Sequence, residues 1–218
     1  MISVYLIRHA ESEGNVNHHL IGGQSNHLPL TERGREQARR LGQRLQREGY
    51  RFDAWWSSTA VRAIDTAALA AHQMPDLDLP HQRTPVLLEV GQGEWEGQVR
   101  KEIYTEATWA QFRADPLHFK APGGESFGEV QQRMRRWLDQ AHATYASTEA
   151  DVHIAAFSHG MAIRCLLVQL LDAPAQMARR MVTDNTSITC LEHDHKGWRI
   201  ERLNDAAHLT GMEKIAHY

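Results

Sequence analysis

The chain has 218 residues and a formal net charge of −3, with 42% hydrophobic and 23% charged residues. This length suits one large domain or two small ones, and the composition is that of a globular chain rather than a disordered one. The charge argues against a general nucleic-acid binder or a ligand of anionic membranes, and no apolar run reaches the roughly 18 residues of a membrane span.

The cysteine usage and the N-terminus indicate a cytoplasmic protein. Cys165 and Cys190 stand in no metal-like spacing, which is typical of a reducing compartment. Residues 1–11 lack a basic start followed by a long apolar stretch, so they do not predict a signal peptide. Fourteen histidines are the unusual feature of the composition, and the question is which of them carry chemistry.

Strand and helix patterns alternate along the first half of the chain. The β-branched run at 2–7 is typical of a buried strand, and Thr31 is a plausible N-cap for a helix with apolar residues at helical spacing. The patterns predict strands at 52–57 and 2–7, helices at 31–48 and 60–72, and a short strand or extended segment at 85–90.

The second half continues the alternation and ends in a hairpin. Ser126 and Glu129 have the spacing of a capping box, which begins a helix predicted to run to residue 145. The patterns also predict helices at 101–113 and 161–171, a strand at 151–157, and hairpin strands at 187–192 and 198–203. We therefore expect one α/β domain over 1–218, a three-layer sandwich with a mostly parallel central sheet and helices on both faces. Segment 98–126 is expected to form a lid or insertion.

Polar residues follow three of the predicted strands. Arg8-His9 ends the first strand, Ser158-His159-Gly160 ends the strand at 151–157, and Arg62 lies one turn into the helix after Ser57-Ser58. Taken singly, such a histidine more often caps or faces solvent, and a lone arginine is usually a solvated ion-pair partner. Ligands of open α/β sheets bind beyond the carboxyl ends of the strands, so these groups are expected to converge there. Arg8 adjoins an apolar strand and would need an anion to satisfy it.

These residues resemble the signature of the histidine phosphatase superfamily, also called phosphoglycerate mutase-like. The resemblance extends over nearly the whole chain as six blocks in the family's order. The blocks are LIRHAE at 6–11 with Asn15, PLT at 29–31 with Gly34 and Gln37, Ser57-Ser58 to Arg62 with Thr66, Leu88-Glu89 with Trp95 and Gly97, PGGES at 122–126, and Ser158-His159-Gly160. Ala10 replaces a common glycine, and the stretch 23–29 is one residue longer than usual, which affects the assignment of Gly22 and Gly23.

The resemblance implies a phosphohistidine on His9. A neutral imidazole is a good nucleophile near pH 7, and a covalent intermediate divides one displacement into two. Arg8 and Arg62 would hold the phosphoryl oxygens, and His159, if protonated, would add a third positive donor. The residues expected to contact substrate besides these are Asn15, Gly22, Gly23 and Gly160.

Glu89 matches the family's general acid, which protonates the leaving alkoxide and then deprotonates the attacking water. Chemistry alone favours a surface carboxylate at this position, and the surrounding block reverses that preference. Glu11, Glu94 and Glu96 are weaker candidates for the same role.

No metal or cofactor is expected. His18-His19 and His193-x-His195 are best interpreted as solvated surface, since adjacent histidines point in different directions and the second pair falls on a predicted turn. The chain has no GxxxxGK[ST], GxGxxG, GxSxG or HExxH motif.

Family membership leaves the reaction open. Segment 98–121 contains Arg100, Lys101, Arg113 and Lys120 but no paired arginines, which favours a phosphatase of small phosphorylated metabolites over a cofactor-dependent phosphoglycerate mutase. A non-catalytic phosphate-binding protein is a third alternative. The segment's Trp109, Phe112, His118 and Phe119 form either an apolar lid or a packed helix, and a homodimer through the Cys190 hairpin stays open.

Overall fold

The computed structural model describes residues 1–212, so the last six residues of the predicted domain lie outside the described residues. Six strands form one sheet in the order β3-β2-β4-β1-β5-β6. The strands are β1 (Ile2–Arg8), β2 (Ala54–Ser57), β3 (His81–Arg83), β4 (Val152–Ser158), β5 (Ile188–Asp194) and β6 (Gly197–Asp205). Strands β1 to β4 are parallel to one another, β5 is antiparallel to β1 and β6 is antiparallel to β5, which confirms the predicted α/β class.

Seven α-helices surround the sheet within the described residues. They are α1 (Glu13–Val16), α2 (Glu32–Arg47), α3 (Val61–Ala71), α4 (Arg100–Ile103), α5 (Glu106–Ala114), α6 (Phe127–Tyr145) and α7 (Gly160–Leu170). Short 3₁₀ helices span Pro85–Leu87, Gly93–Trp95, Ala175–Arg180 and Ala207–Leu209. The caps predicted for α2 and α6 are present: Thr31 accepts a hydrogen bond from Gly34 N, and Ser126 and Glu129 form the capping box.

Alternation along the central strands gives the sheet two apolar faces. In β1, Val4 and Leu6 pack with residues of α6 and α7, whereas Ile7 packs with residues of α2 and α3. Neighbouring residues of β4 divide in the same way. Because successive strand side chains point to opposite faces, helices must cover both, and the three layers follow.

Two local predictions were wrong. The segment at 85–90 is not a strand: it begins with the 3₁₀ helix at Pro85, whose ring removes a backbone donor, and Thr84 caps that helix. The edge strand is instead the three-residue β3, which is too short and polar to show a strand pattern. The helix predicted at 101–113 is two helices, because Thr105 accepts a hydrogen bond from Thr108 N and begins α5 anew.

Cys190 lies on β5, an internal strand of the sheet, and is buried. The free edge of the hairpin is β6, so the cysteine belongs to the core rather than to an exposed edge. Among residues 1–212, no helix combines the length and apolar character needed to cross a membrane.

Candidate active site

The register of the parallel strands brings the two histidines together. Arg8 pairs with Ser158 at the ends of β1 and β4, so His9 and His159 leave the sheet side by side. His9 N donates to the Ser158 carbonyl at 2.9 Å, and the imidazole centroids are 5.0 Å apart. His9 is 4% exposed and His159 is fully buried.

Arg62 joins these rings. It lies in the first turn of α3, which follows β2, and its side chain is buried. Its Nε donates to His9 Nε2 at 3.3 Å, and one of its terminal nitrogens donates to His159 Nδ1 at 3.2 Å. Other contacts reach the carbonyls of Ser25 at 3.0 Å and Gly23 at 3.4 Å. The predicted convergence of His9, Arg62 and His159 therefore occurs.

Hydrogen bonds select one tautomer of each histidine. His9 Nδ1 lies 2.7 Å from the Ala10 carbonyl, which only accepts, so Nδ1 carries the proton and Nε2 keeps its lone pair. In His159, Nδ1 accepts from Arg62, and Nε2 lies 2.7 Å from Ser58 Oγ. Both rings are therefore neutral in this arrangement.

Burial accounts for the neutral state of both rings. It lowers the pKa of His9 well below 6.5, and the charges of Arg62 and Arg8 add to the effect. Burial likewise lowers the pKa of His159, with Arg62 as the next cause. His159 could act as a positive donor only if it were protonated. In the unliganded site it is neutral, so this condition is unmet.

Arg8 has a buried and incompletely satisfied guanidinium. One terminal nitrogen donates to the Thr183 carbonyl at 2.6 Å, but Nε is buried without a hydrogen-bond partner among residues 1–212. Burial lowers the pKa of Arg8 to about 10, and repulsion from Arg164 contributes. Arg164, in the second turn of α7, is thus a third cation near this point.

Glu89 lies at the N-terminus of α7. Its carboxylate accepts from Met161 N at 3.0 Å, Ala162 N at 2.9 Å and Val90 N at 2.8 Å. The free N–H groups and the positive end of a helix dipole favour a carboxylate at such a position. Glu89 is partly buried and borders the cleft described below, so it is not the free surface carboxylate that chemistry alone would favour.

The competing glutamates have other partners. Glu11 accepts from Thr31 Oγ1 at 2.7 Å and pairs with Arg33 at 3.3 Å. Glu96 accepts from the backbone N–H groups of Gln24 and Gln92 at 2.8 and 3.0 Å, and it holds two loops together. Both glutamates therefore have structural contacts.

The four residues expected to contact substrate occupy different places. Asn15 Oδ1 accepts from Asn185 Nδ2 at 3.3 Å, and that amide also donates to the His9 carbonyl at 2.9 Å. Gly22 and Gly23 border the cleft, and Gly23 has φ +52°. Gly160 begins α7 beside Arg8, where an added Cβ would lie 3.4 Å from Arg8 Nε.

A cleft of about 150 Å³ opens beside Glu89. We call it the aromatic cleft, because segment 98–126 lines it with rings from α4, α5 and the following loop. Its lining includes Tyr104, Trp109, Phe112, Phe119, Arg100, Lys120 and, from the 3₁₀ helix at 175–180, Arg179. His118 does not line it: its ring lies beside Asp115 at 3.0 Å and is exposed.

Three supporting residues escaped the sequence analysis: Arg164, Asn185 and Thr183. Arg164 had a usable signal, since it is a lone cation within an apolar helix pattern. The polar run at 183–187 was another signal. It precedes β5, which is antiparallel to β1, so it lies at the sheet edge where β1 ends. The hydrogen bond of Ser58 to His159 had no signal in one sequence.

No group of three or more His, Cys, Asp or Glu side chains in residues 1–212 is arranged to hold a metal ion. The cationic and imidazole groups at the strand ends instead suit an anion with several oxygens, such as a phosphoryl group. Two neutral histidines, the buried Arg62, the partly buried Arg8 and a carboxylate stand at this edge of the α/β fold, and together they define the class as a phosphoryl-handling protein.

Comparison with known proteins gives the family. The family model described as "Histidine phosphatase superfamily (branch 1)" matches residues 4–206, and the chain belongs to this superfamily. A Yersinia pestis protein named "Probable phosphoglycerate mutase GpmB" is 33% identical over 96% of this chain and 95% of its own length. The family, fold and enzyme class predicted from the sequence are thus confirmed.

Solved structures of similar fold include several phosphatases. Bacillus stearothermophilus YhfR has a TM-score of 0.80 at 29% identity, covering 96% of this chain and 100% of its own. The alpha-ribazole phosphatase from Shigella flexneri has a TM-score of 0.76 at 28% identity, covering 94% and 96%. The Entamoeba histolytica phosphoserine phosphatase, solved with 3-phosphoglyceric acid, has a TM-score of 0.79 at 25% identity, covering 96% and 100%.

Proposed function

We propose that the protein is a metal-independent phosphatase that hydrolyses small phosphomonoesters through a phosphohistidine on His9. The observation that carries this proposal is the lone pair on His9 Nε2, held in place by the Nδ1 contact to the Ala10 carbonyl and by Arg62. A nucleophile fixed in one tautomer beside a cation is what displacement at an anionic phosphorus requires.

In the first step, His9 Nε2 forms a bond to phosphorus and the bond from phosphorus to the ester oxygen breaks. Arg8 and Arg62 bind the phosphoryl oxygens, and the unpartnered Arg8 Nε supplies one donor. In the unliganded site the neutral His159 accepts from Arg62 at Nδ1, which orients Arg62, and its Nε2–H donates to Ser58 Oγ, so the ring gives no positive donor to the phosphoryl group. The phosphoryl dianion would favour protonation of His159 and so recruit it as a donor.

Glu89 serves the alcohol side of the reaction. For this role Glu89 must enter the first step protonated. It gives that proton to the leaving alkoxide, and the resulting carboxylate takes one from the water that attacks the phosphohistidine, which returns His9 and releases phosphate. Its place between α7 and the aromatic cleft supports this role, since the cleft is the space next to the cluster in which an alcohol fits. The main chain of Gly22, Gly23 and Gly160, with Asn15, completes the proposed binding surface.

A phosphoglycerate mutase is the second candidate, because the Yersinia pestis relative carries that name. A mutase needs free cations for the carboxylate and second phosphate of its substrate. In segment 98–126, however, Arg113 pairs with Glu106 and Lys120 pairs with Glu129. Arg100 donates to the carbonyls of His18 and Leu20. This pairing favours the phosphatase.

The test is hydrolysis of p-nitrophenyl phosphate in EDTA by the wild type, by His9→Ala and by the surface control His195→Ala. We expect turnover in the wild type and the control, and none above background in His9→Ala. Acid-quenched reactions with ³²P-labelled substrate should trap an acid-labile, base-stable phosphoprotein only where His9 is present. Turnover that requires an added divalent metal would contradict the proposal.

Two other outcomes identify the alternatives. Interconversion of phosphoglycerates that depends on 2,3-bisphosphoglycerate, without hydrolysis, would establish the mutase. Phosphate binding by calorimetry with neither activity would establish a binding protein.

A further inference from the structure

The aromatic cleft has the size of one ring. Its volume is about 150 Å³, and an apolar cavity of about 150 Å³ in another protein holds a benzene molecule. Five aromatic side chains line it: Tyr104, Trp109, Phe112, Phe119 and Phe127. A ring-sized group therefore matches this space in size and can pack against its rings, and the charged groups of the same lining suit a polar substituent on that ring.

Contacts among the rings hold the wall of the cleft in place. Tyr104 and Trp109 are stacked, with centroids 5.0 Å apart and planes 24° apart. Trp109 meets Phe112 edge to face at 5.9 Å, and the Tyr104 hydroxyl donates to Gln92 Oε1 at 2.8 Å. Such contacts favour a preformed surface over a collapsed one.

The cleft adjoins the site of the proposed reaction through Glu89, while Arg8, His9, Arg62 and His159 lie outside its lining. Glu89 and Met161 both border it, and Glu89 accepts a hydrogen bond from Met161 N. Gly23 also borders it, and the carbonyl of Gly23 accepts from Arg62. The space therefore adjoins the proposed general acid, where the leaving alcohol of a phosphomonoester must lie. This step rests on the proposed phosphatase function.

Among the cations that line the cleft in residues 1–212, Arg179 has neither an opposite charge nor a hydrogen-bond acceptor beside it. Arg100 also lacks a carboxylate partner, but its guanidinium donates to the carbonyls of His18 and Leu20. The guanidinium carbon of Arg179 lies 4.5 Å from the centre of the Trp109 ring, and no carboxylate pairs with it in residues 1–212. The other charged side chains of the lining differ: Lys120 pairs with Glu129, and Glu125 pairs with Arg133. Arg179 lies at the exposed rim of the cleft. Partial desolvation lowers the pKa of its guanidinium, and repulsion from Arg164 and Arg100 adds to that effect, so a bound anion would be stabilised there.

We propose that the aromatic cleft binds the leaving alcohol and that Arg179 selects phosphomonoesters whose alcohol carries a ring-sized apolar group with a second anionic substituent, such as a carboxylate. The ring lies against Tyr104 and Trp109, and the anion meets the guanidinium held over Trp109. Arg179 is thus a specificity residue rather than a catalytic residue.

The test compares kcat/KM for phenyl phosphate with the values for 3- and 4-carboxyphenyl phosphate and for the matching carboxamides. A charge-assisted hydrogen bond corresponds to about tenfold or more, so we expect the wild type to prefer at least one carboxylate over its carboxamide by about that factor. Arg179→Met keeps an apolar chain over Trp109 without the charge. It should reduce the preference to near unity and change phenyl phosphate kcat/KM less than about twofold.

Arg180→Met is the matched control, because it removes the neighbouring exposed charge on the same 3₁₀ helix, and it should keep the preference. Arg179→Lys should restore part of it. A wild type without preference, or a preference that survives in Arg179→Met, would overturn the assignment of Arg179. Absence of phenyl phosphate turnover in the wild type would instead overturn the phosphatase function, and the assignment of a leaving alcohol with it.

Discussion

The phosphate cluster, formed by Arg8, His9, Arg62 and His159, and the aromatic cleft lie side by side but are built in different ways. The cluster follows the ends of β1 and β4 and the start of α3, and backbone pairing sets its spacing. The cleft is formed by the short helices α4 and α5 and a 3₁₀ helix, with aromatic contacts between them.

This difference separates two tasks. In the cluster, Arg62 is hydrogen-bonded to both buried histidines and Arg8 has an unpartnered Nε, and these groups suit a phosphoryl group attached to any alcohol. The cleft contains side chains from connecting segments, which vary more readily than sheet registers and suit the choice of alcohol. Changes in the cluster should therefore affect all substrates alike, whereas changes in the cleft should affect particular substrates.

Among changes that leave the His9 nucleophile in place, the largest expected effect comes from Arg62→Lys. A lysine ammonium cannot contact both histidines and two loop carbonyls as the guanidinium does. We expect kcat/KM to fall about 10²- to 10³-fold, the range for removing one transition-state donor. Steady-state kinetics should show the same loss for phenyl phosphate and for the carboxyphenyl phosphates. A loss of kcat/KM for only one of these substrates would contradict the proposal that the cluster serves all substrates and the cleft selects among them.

The second effect is a loss of stability in acid, located in the cluster. The folded protein keeps His9 and His159 neutral because burial lowers the pKa of each below 6.5. The unfolded chain binds protons near pH 6.5 and the folded state does not. The free energy of unfolding is therefore complete above pH 6.5 and falls as the pH decreases, by up to about 1.4 kcal/mol per pH unit for each ring.

Urea denaturation at pH 7.5, 6.5 and 5.5 measures this slope. His159→Gln should make it shallower, whereas His195→Gln, on the exposed turn between β5 and β6, should leave it unchanged. His208 also contributes to this loss of unfolding free energy, because burial lowers its pKa to about 4. Its contribution to the loss stops growing below that pH. Equal stability at pH 7.5 and 5.5 would contradict the neutral buried rings.

The smallest effect concerns the two glycines between the regions. Gly23 has φ +52°, and an added Cβ would lie 2.3 Å from Glu96 Oε1, so Gly23→Ala should cost about 1–2 kcal/mol of unfolding free energy. It should also lower kcat/KM severalfold, because Arg62 contacts the Gly23 carbonyl. Gly22→Ala is the control: its Cβ would meet no atom within 4 Å, and its stability should change by less than about 0.5 kcal/mol. Similar losses in both variants would argue against a specific contact at Gly23.

The predictability of the molecule follows the same division. Arg8, His9, Arg62 and His159 could be placed from the sequence because apolar strands end at recognisable polar residues and parallel strands end at one edge. The cleft could be predicted only in part from the sequence. Its aromatic residues were noted, but a single helix was predicted where Thr105 begins a second one. Arg179, 70 residues beyond Trp109 in number, gave no sign that it lies over that ring.

The sequence by itself determined the family, the α/β class and the nucleophile candidate, since these depend on local periodicity and on motifs of adjacent residues. Only the tertiary structure decided the protonation state of the two histidines, the contact of the Glu89 carboxylate with the first N–H groups of α7, and the absence of a carboxylate beside Arg179 in the described residues. Burial and hydrogen-bond partners decide those properties, and both come from residues that are distant in the chain and close in the fold.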